Sequence, residues 1–373
     1  MAVWVAASVL ALTGAVSFGA LARAIPKSGG EYLYLSRLIH PAAGFIAGWV
    51  SLIAAFAGAE AYAAITMMEY LQLEPYGDKL ELLLVVGLLL VLSFVQGLLI
   101  KAGTIMQNLT VIAKGVFMLL FVVIGAGAVG SFPLDHSTVE PTSMWAWPVS
   151  LMWVSLSFTG FNSAIYVAEE CQNPGRDIPK ALIWGTAITA VLYILINAVF
   201  VYSAPLADLA GNPDIALVSA QALGGSKLRL AVQALVLLSL FTLISGMAVA
   251  GPRVAVKMGE DGYLPRLSLQ NAALVQCGLA VLMTLRANLV SQLTYLSLTL
   301  SLTSALAVAA VFKLKPSERP NPIFPLTYIL GTALAAVASL KNQPGAGLAA
   351  LATIVSGGTV YALFFSKKSR TKE

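Results

Sequence analysis

The chain has 373 residues, of which 58% are hydrophobic and only 10% are charged, whereas a soluble domain carries about a quarter charged residues. With a mean hydropathy of +0.85, it cannot cover itself with polar surface, so a soluble globular protein is excluded. The net charge of +5 comes from Lys and Arg residues scattered in short loops and a tail. Such scattered positive charge is typical of the ends of membrane segments and not of a surface that binds nucleic acid. We therefore expect the chain to lie in a lipid bilayer and to have no nucleic-acid partner.

Apolar runs of roughly 20 residues, the length that crosses a bilayer as a helix, recur along the chain. They predict an all-α polytopic membrane protein with eleven spans, near residues 3–23, 40–70, 80–100, 105–130, 146–168, 181–203, 227–257, 271–287, 290–312, 324–340 and 346–366. Two of these spans, 40–70 and 227–257, are longer than a simple crossing needs. Their length predicts a tilt or an internal break.

The basic residues predict the orientation. If successive loops lie on opposite sides, 17 Lys and Arg residues fall on one side and 5 on the other. The excess predicts that the richer side, with the C-terminus, faces the cytoplasm. Eleven spans then place Met1 outside, an awkward beginning that one more helix upstream would correct. Either the real start lies upstream of Met1 or the chain is naturally shortened.

Glu60 is the only acid well inside a predicted span. A carboxyl at this depth is costly unless it is paired or faces a cavity, so it marks a position of interest. It is either a helix-packing carboxyl or a group that couples transport to protons or binds a substrate amine. The second alternative follows because burial raises the pKa of a carboxyl towards neutrality.

Residues 157–176 read SFTGFNSAIYVAEECQNPGR and place small and polar side chains in an apolar span. Gly160, with Thr159 and Asn162 beside it, weakens helix propensity, and such a site lets backbone groups leave the helix and face a ligand. Close packing of two helices explains the same residues equally well. Asn173-Pro174-Gly175 predicts a turn. Three charged residues flank that turn and are expected at the cytoplasmic mouth, namely Glu169, Glu170 and Arg176. They are either solvated surface charges or members of an ion-pair network that acts as a gate.

Hydroxyl groups recur at helical spacing in two later spans. Thr242 and Ser245 belong to the first, and Tyr295 and Thr299 to the second. Such hydroxyls either bond back to their own helix or line a pathway or cation site. The two cysteines do not have the spacing of a metal site, and the sequence contains no recognisable catalytic motif. Neither an enzyme nor a cofactor is therefore expected.

Three segments together resemble the amino acid-polyamine-organocation (APC) superfamily of secondary transporters. They are ARAIPKSGGEYLYL, SFTGFNSAIYVAEECQNPGRDIPKAL and SGMAVAGPRVAVKMGEDGYLPR, and the similarity extends from the first span to the last. The resemblance implies one transporter domain of the leucine-transporter-type inverted-repeat fold. It assigns 1–130 to the first repeat, 146–312 to the second, 324–366 to two further helices and 367–373 to a cytoplasmic tail. About eleven of twelve transmembrane helices are then present, and the family's first helix has no counterpart.

The resemblance further implies an amino acid permease of the cytoplasmic (plasma) membrane that works by alternating access. Span 146–168 corresponds to the family's discontinuous sixth helix, so the expected substrate-binding residues are those of its break: Ser157, Phe158, Thr159, Gly160, Phe161 and Asn162. The two phenylalanines suit neutral or aromatic side chains. The expected coupling ion is H+, with Na+ less favoured, acting in uptake or exchange. The alternatives are a truncated fragment that does not transport and an amino acid-binding sensor; the amino acid and the oligomeric state stay open.

Overall fold

The computed structural model describes residues 1–71, 78–98, 100–128, 146–204, 209, 212, 214–284 and 289–366. No strand occurs in these ranges, which confirms the predicted all-α class. The helices, labelled α1 to α13 in chain order, are Ala2–Ala24, Gly30–Leu38, Pro41–Val50, Ala59–Leu71, Asp78–Leu98, Ile100–Ala128, Ala146–Leu156, Pro174–Ser203, Ile215–Glu260, Leu269–Thr284, Leu289–Ala309, Ile323–Asn342 and Pro344–Phe364.

The described helices agree with the predicted spans in number and place. Eight helical segments are long and apolar enough to cross a membrane, with α3 to α4 (Pro41–Leu71) counted as one, and three shorter apolar helices lie at Leu82–Val95, Ala146–Leu156 and Leu269–Thr284. They therefore account for all eleven predicted spans. The predicted tail 367–373 lies outside the described residues, as do residues 99, 129–130 and 285–287 of the predicted spans. The division into two inverted repeats stays a prediction.

Only one of the two long predicted spans departs from a regular α-helix within its predicted bounds. In the first, a π-helix, Ser51–Gly58, separates α3 from α4. Such π segments are rare and often lie at functional sites. The second, 227–257, belongs to α9, whose backbone is non-helical at Gly224 and Gly225. The break therefore lies at the upstream edge of that predicted span and not inside it.

The helices pack around α1, α2 and α9. Helix α1 contacts α7, α8 and α12, while α9 contacts α4, α6 and α10. A core of large side chains that includes Phe18, Tyr32, Phe45 and Tyr166 joins the ends of these helices. By contrast, the apolar side chains of α6 are largely exposed, as expected of a helix face that meets lipid tails.

Candidate functional site

The predicted break in span 146–168 is present. Helix α7 ends at Leu156, residues 157–162 form turns, and a 3₁₀ helix runs over Ser163–Glu170. Gly160 has a φ of +96°, a conformation that a residue with a Cβ adopts only with strain. This glycine therefore permits the turn that ends the helical path.

Four of the six backbone amides at residues 157–162 donate to backbone carbonyls, contrary to the expectation that they are freed. The amides of Ser157, Phe158 and Thr159 donate to carbonyls three residues earlier, at 3.0 to 3.1 Å. Within the described residues, the amides of Gly160 and Asn162 donate to no backbone carbonyl. These two N–H groups are therefore the backbone donors at the break that have no backbone acceptor.

All six residues predicted to bind substrate line one cavity of about 1090 Å³, namely Ser157, Phe158, Thr159, Gly160, Phe161 and Asn162. Its other walls come from α1, the π-helix, α6, α9, α11 and α12. Small-molecule sites usually enclose about 300–1,000 Å³, so the cavity is large enough for an amino acid together with water.

The two phenylalanines of the break pack on aromatic neighbours. The ring centroid of Phe158 lies 5.2 Å from that of Tyr193, and that of Phe161 lies 5.8 Å from that of Tyr328. These edge-on contacts fix the rings against their neighbouring helices. The apolar part of the cavity wall is therefore held in place before any ligand arrives.

Asn162 makes its side-chain bond to an acid that the sequence interpretation did not single out. Its Nδ2 donates to Glu31 Oε1 at 3.1 Å, and Ser304 Oγ donates to the same oxygen at 2.6 Å. Glu31 is 3% exposed and lines the cavity. Burial raises the pKa of the Glu31 carboxyl, while the hydrogen bonds from Ser304 and Asn162 oppose that rise.

The Gly29-Gly30 pair brings Glu31 to this position. Gly30 has a φ of +60°, and a Cβ at this residue would lie 2.0 Å from Tyr166 Cε1. Only glycine fits both constraints. The start of α2 consequently packs directly on the 3₁₀ helix that follows the break, which sets the carboxyl beside Asn162.

A basic group also lines the cavity. Lys114 of α6 lines the cavity, and its Nζ lies 3.4 Å from Thr242 Oγ1. Gln107 Nε2 donates to the Thr242 carbonyl at 3.1 Å. Lys114 could have been found by the criterion that found Glu60, since it is a charge inside the predicted span 105–130. Among the described residues the cavity lining thus holds one acid and one base, Glu31 and Lys114.

The four residues predicted as a pathway or cation site are separated. Thr242 lines the cavity, whereas Ser245, Tyr295 and Thr299 are buried outside its lining. The Tyr295 hydroxyl bonds to Thr353 Oγ1 at 3.0 Å, and Thr299 Oγ1 donates to the carbonyl of Tyr295. The hydroxyl of Thr299 therefore bonds back to its own helix, and that of Tyr295 bonds to the neighbouring helix α13.

Glu60 is 1% exposed and is not part of the cavity lining. Its Oε1 accepts a hydrogen bond from Gln276 Nε2 at 2.7 Å. Gln276 Nε2 also donates to the Met247 carbonyl at 3.0 Å. The carboxyl thus joins α4 to α10 and α9 from behind the cavity wall.

The charged residues predicted as a gate do not pair with one another. Glu170 Oε1 lies 2.6 Å from Arg253 Nη2, so its partner is on α9, while Arg176 is exposed. The amide of Glu169 donates to Ser28 Oγ at 3.0 Å. The predicted turn at Asn173-Pro174-Gly175 is wrong, because α8 begins at Pro174, where proline suits the first helical position.

Comparison with known proteins gives one matching family model, described as amino acid permease, over residues 1–371. The large neutral amino acids transporter small subunit 2 of Rattus norvegicus is 24% identical over 391 residues, covering 97% of this chain and 73% of its own. The cystine/glutamate transporter of Homo sapiens is 27% identical over 400 residues, which cover 99% of this chain and 79% of its own. The b(0,+)-type amino acid transporter 1 of Mus musculus is 30% identical over 207 residues, with 53% and 42% covered.

Proposed function

Because the chain belongs to the amino acid permease family, we propose that it carries amino acids across the plasma membrane by secondary active transport. Its C-terminus then lies in the cytoplasm. The observation that supports this best is the interrupted helix, which opens its turn at residues 157–162 onto a central cavity. Irregular backbone at membrane depth is tolerated where it lines a cavity, and transporters bind their substrates at such breaks.

The proposed substrate is a zwitterionic amino acid with a neutral side chain. The charges of Glu31 and Lys114 balance, and the remaining lining is mainly apolar, with Phe158 and Phe161 at the break. A substrate with a charged side chain would leave one charge without a partner beside a mainly apolar lining, which is costly. The amides of Gly160 and Asn162 are the proposed donors to the substrate carboxylate.

Proton coupling is proposed in preference to sodium coupling. The ammonium of Lys114 lies beside Thr242 Oγ1, one of the hydroxyls that could otherwise bind a cation. A second positive ion there would be repelled in a medium of low dielectric. Glu60, a buried carboxyl without an ion-pair partner among the described residues, is the proposed proton carrier.

Alternating access is proposed to involve the contact between the 3₁₀ helix and α9. The side chain of Glu170 is 54% exposed and that of Arg253 is 14% exposed. Exposed ion pairs contribute about 0–1 kcal/mol, so this pair can close one end of the cavity and still open during each cycle.

The test is uptake of radiolabelled neutral amino acids by proteoliposomes that contain the full chain. We expect uptake to rise when the outside is acidified and to fall when a protonophore is added. Asn162→Ala should reduce uptake at least about tenfold, because the Nδ2 group that holds the buried Glu31 carboxyl at the cavity is lost. Asn197→Ala is the matched control, since that amide donates only to the Tyr193 carbonyl of its own helix.

Two results would oppose the proposal. Uptake that is the same with and without protein would show that the chain does not transport. If amino acids nevertheless raised its melting temperature, it would be a binding protein or sensor.

A further inference from the structure

We propose that Glu31 binds the α-ammonium group of the transported amino acid. This inference rests on the proposed function and adds to it the residue that recognises the amine. Glu31 is in none of the predicted membrane spans and was not among the residues expected to bind substrate. It is placed at the cavity by the packing of α2 against the 3₁₀ helix.

The position of the carboxyl supports this role. Glu31 lines the same cavity as the six residues of the break, and Asn162 Nδ2 donates to its Oε1. A substrate whose carboxylate meets the amides of Gly160 and Asn162 therefore has an acid next to its binding place. In an amino acid the ammonium is bonded to the carbon beside the carboxylate, so the two groups need binding partners that lie close together.

Glu31 has no ion-pair partner within the described part of the chain. Its hydrogen-bond partners are neutral groups, the side chains of Asn162 and Ser304. In the described part of the chain, ion pairs join Arg253 to Glu170 and Lys257 to Glu260, and neither includes Glu31. A buried carboxylate without a cation is costly. A substrate ammonium supplies the missing charge together with three N–H donors.

The geometry also matches what an ammonium requires. Asn162 and Ser304 hold the carboxyl from two different elements, the break and α11. A carboxylate can accept about four hydrogen bonds, so these neutral donors orient the group without exhausting its capacity. Such fixed orientation reduces the cost of ordering the site when ligand binds.

The experiment compares an amino acid with its 2-hydroxy acid analogue, in which a hydroxyl replaces the ammonium. Binding is measured by calorimetry on the full chain in lipid nanodiscs. The probes are the tightest-binding member of the twenty protein amino acids and the matching 2-hydroxy acid. The wild type should prefer the amino acid by about 10- to 100-fold, the effect of a hydrogen bond to a charged group.

Glu31→Gln keeps the shape of the side chain and removes its charge, so the preference should fall below about threefold. Glu31→Asp keeps the charge and should retain a preference above about fivefold, which tests the role even if the Gln variant folds poorly. The matched control is Glu318→Gln, at an exposed acid outside the cavity lining. It should preserve the wild-type preference.

The outcomes separate this inference from the proposed function. If the wild type binds none of the twenty amino acids, the proposed function fails and the role of Glu31 fails with it. If the wild type binds an amino acid and Glu31→Gln discriminates as well as the wild type does, transport remains supported and the role of Glu31 is overturned.

Discussion

The pair formed by Glu60 and Gln276 has more buried polar atoms than its hydrogen bonds satisfy. Gln276 Nε2 donates to Glu60 Oε1. Glu60 Oε2 and Gln276 Oε1 are both buried and have no partner among the described residues. Two unpaired acceptors in one buried pair are costly. A proton on the Glu60 carboxyl would provide the donor that the pair lacks.

The first prediction concerns this proton. Glu60→Gln supplies an amide donor in place of the proton, so the apparent melting temperature should stay close to that of the wild type. Glu60→Ala leaves Gln276 without its partner and opens a void, at a cost of about 2–4 kcal/mol. Thermal unfolding in detergent measures both effects.

Transport by the same variant tests the proton-coupling role of Glu60. An amide cannot bind and release a proton, so Glu60→Gln should lose uptake driven by a pH gradient and keep exchange of labelled for unlabelled amino acid. Gradient-driven uptake at the wild-type rate would leave Glu60 with a packing role alone.

At the residue scale, the sequence predicts buried charges only where the surrounding run is apolar. Glu60 was found in this way, and Lys114 meets the same criterion. Glu31 was not found, because α2 lies between two predicted spans. Its burial depends on Gly30 packing against Tyr166, residues 136 positions apart in the sequence. Such a contact is a property of the tertiary structure and leaves no periodic pattern in the sequence.

At the level of elements, the break after α7 depends on the backbone of Gly160. A Cβ at this residue would meet no atom within 4 Å, and its φ is +96°. Gly160→Ala should therefore act through the backbone alone, at a cost of about 1–3 kcal/mol. We expect a lower melting temperature and slower uptake.

Gly185→Ala is the control for Gly160→Ala. Gly185 lies within α8, and a Cβ there also has open space around it. Alanine is favoured over glycine inside a helix by about 1 kcal/mol, so this variant should be as stable as the wild type or more stable. Equal behaviour of the two variants would show that the turn at Gly160 does not depend on glycine.

The break was predictable and the π-helix was not. Small and polar residues interrupt the apolar span at 157–162, which lowers helix propensity over several consecutive positions. Residues 51–58, by contrast, read SLIAAFAG and would suit an ordinary helix. Their π geometry accompanies contacts with α9, α10 and α11, so it follows from packing between elements distant in sequence.

Across the whole molecule, three polar contacts join distant segments at one end of the bundle. Glu170 pairs with Arg253, Ser28 accepts from the amide of Glu169, and the Tyr32 hydroxyl donates to Asp261 Oδ2 at 2.6 Å. They link the α2 region and α9 to the segment after the break. We expect the proposed alternating-access cycle to separate at least some of them.

The third prediction tests this link. Arg253→Gln should change the melting temperature by no more than a few degrees, because a partly exposed pair contributes about 1 kcal/mol or less. Hydrogen exchange of residues 163–170 should nevertheless become up to about fivefold faster, the equivalent of that free energy. Glu170→Gln should have the same effect, and the double variant should add little to it. Fully additive effects would show that the two side chains act independently.

Cys171 allows the orientation of the whole molecule to be tested. It is partly exposed beside Glu170, whereas Cys277 is buried. The excess of basic residues predicts that Cys171 faces the cytoplasm, so a membrane-impermeant maleimide should label Cys277→Ala vesicles only from that side.

Burial, with the carboxylates of Asp177 and Glu170, raises the pKa of the Cys171 thiol. The thiolate is the form that reacts with maleimide. For an ordinary thiol, the thiolate fraction rises about tenfold between pH 7.5 and 9.5, so labelling of Cys171 should rise by more than that. Labelling from the outer side alone would reverse the proposed orientation.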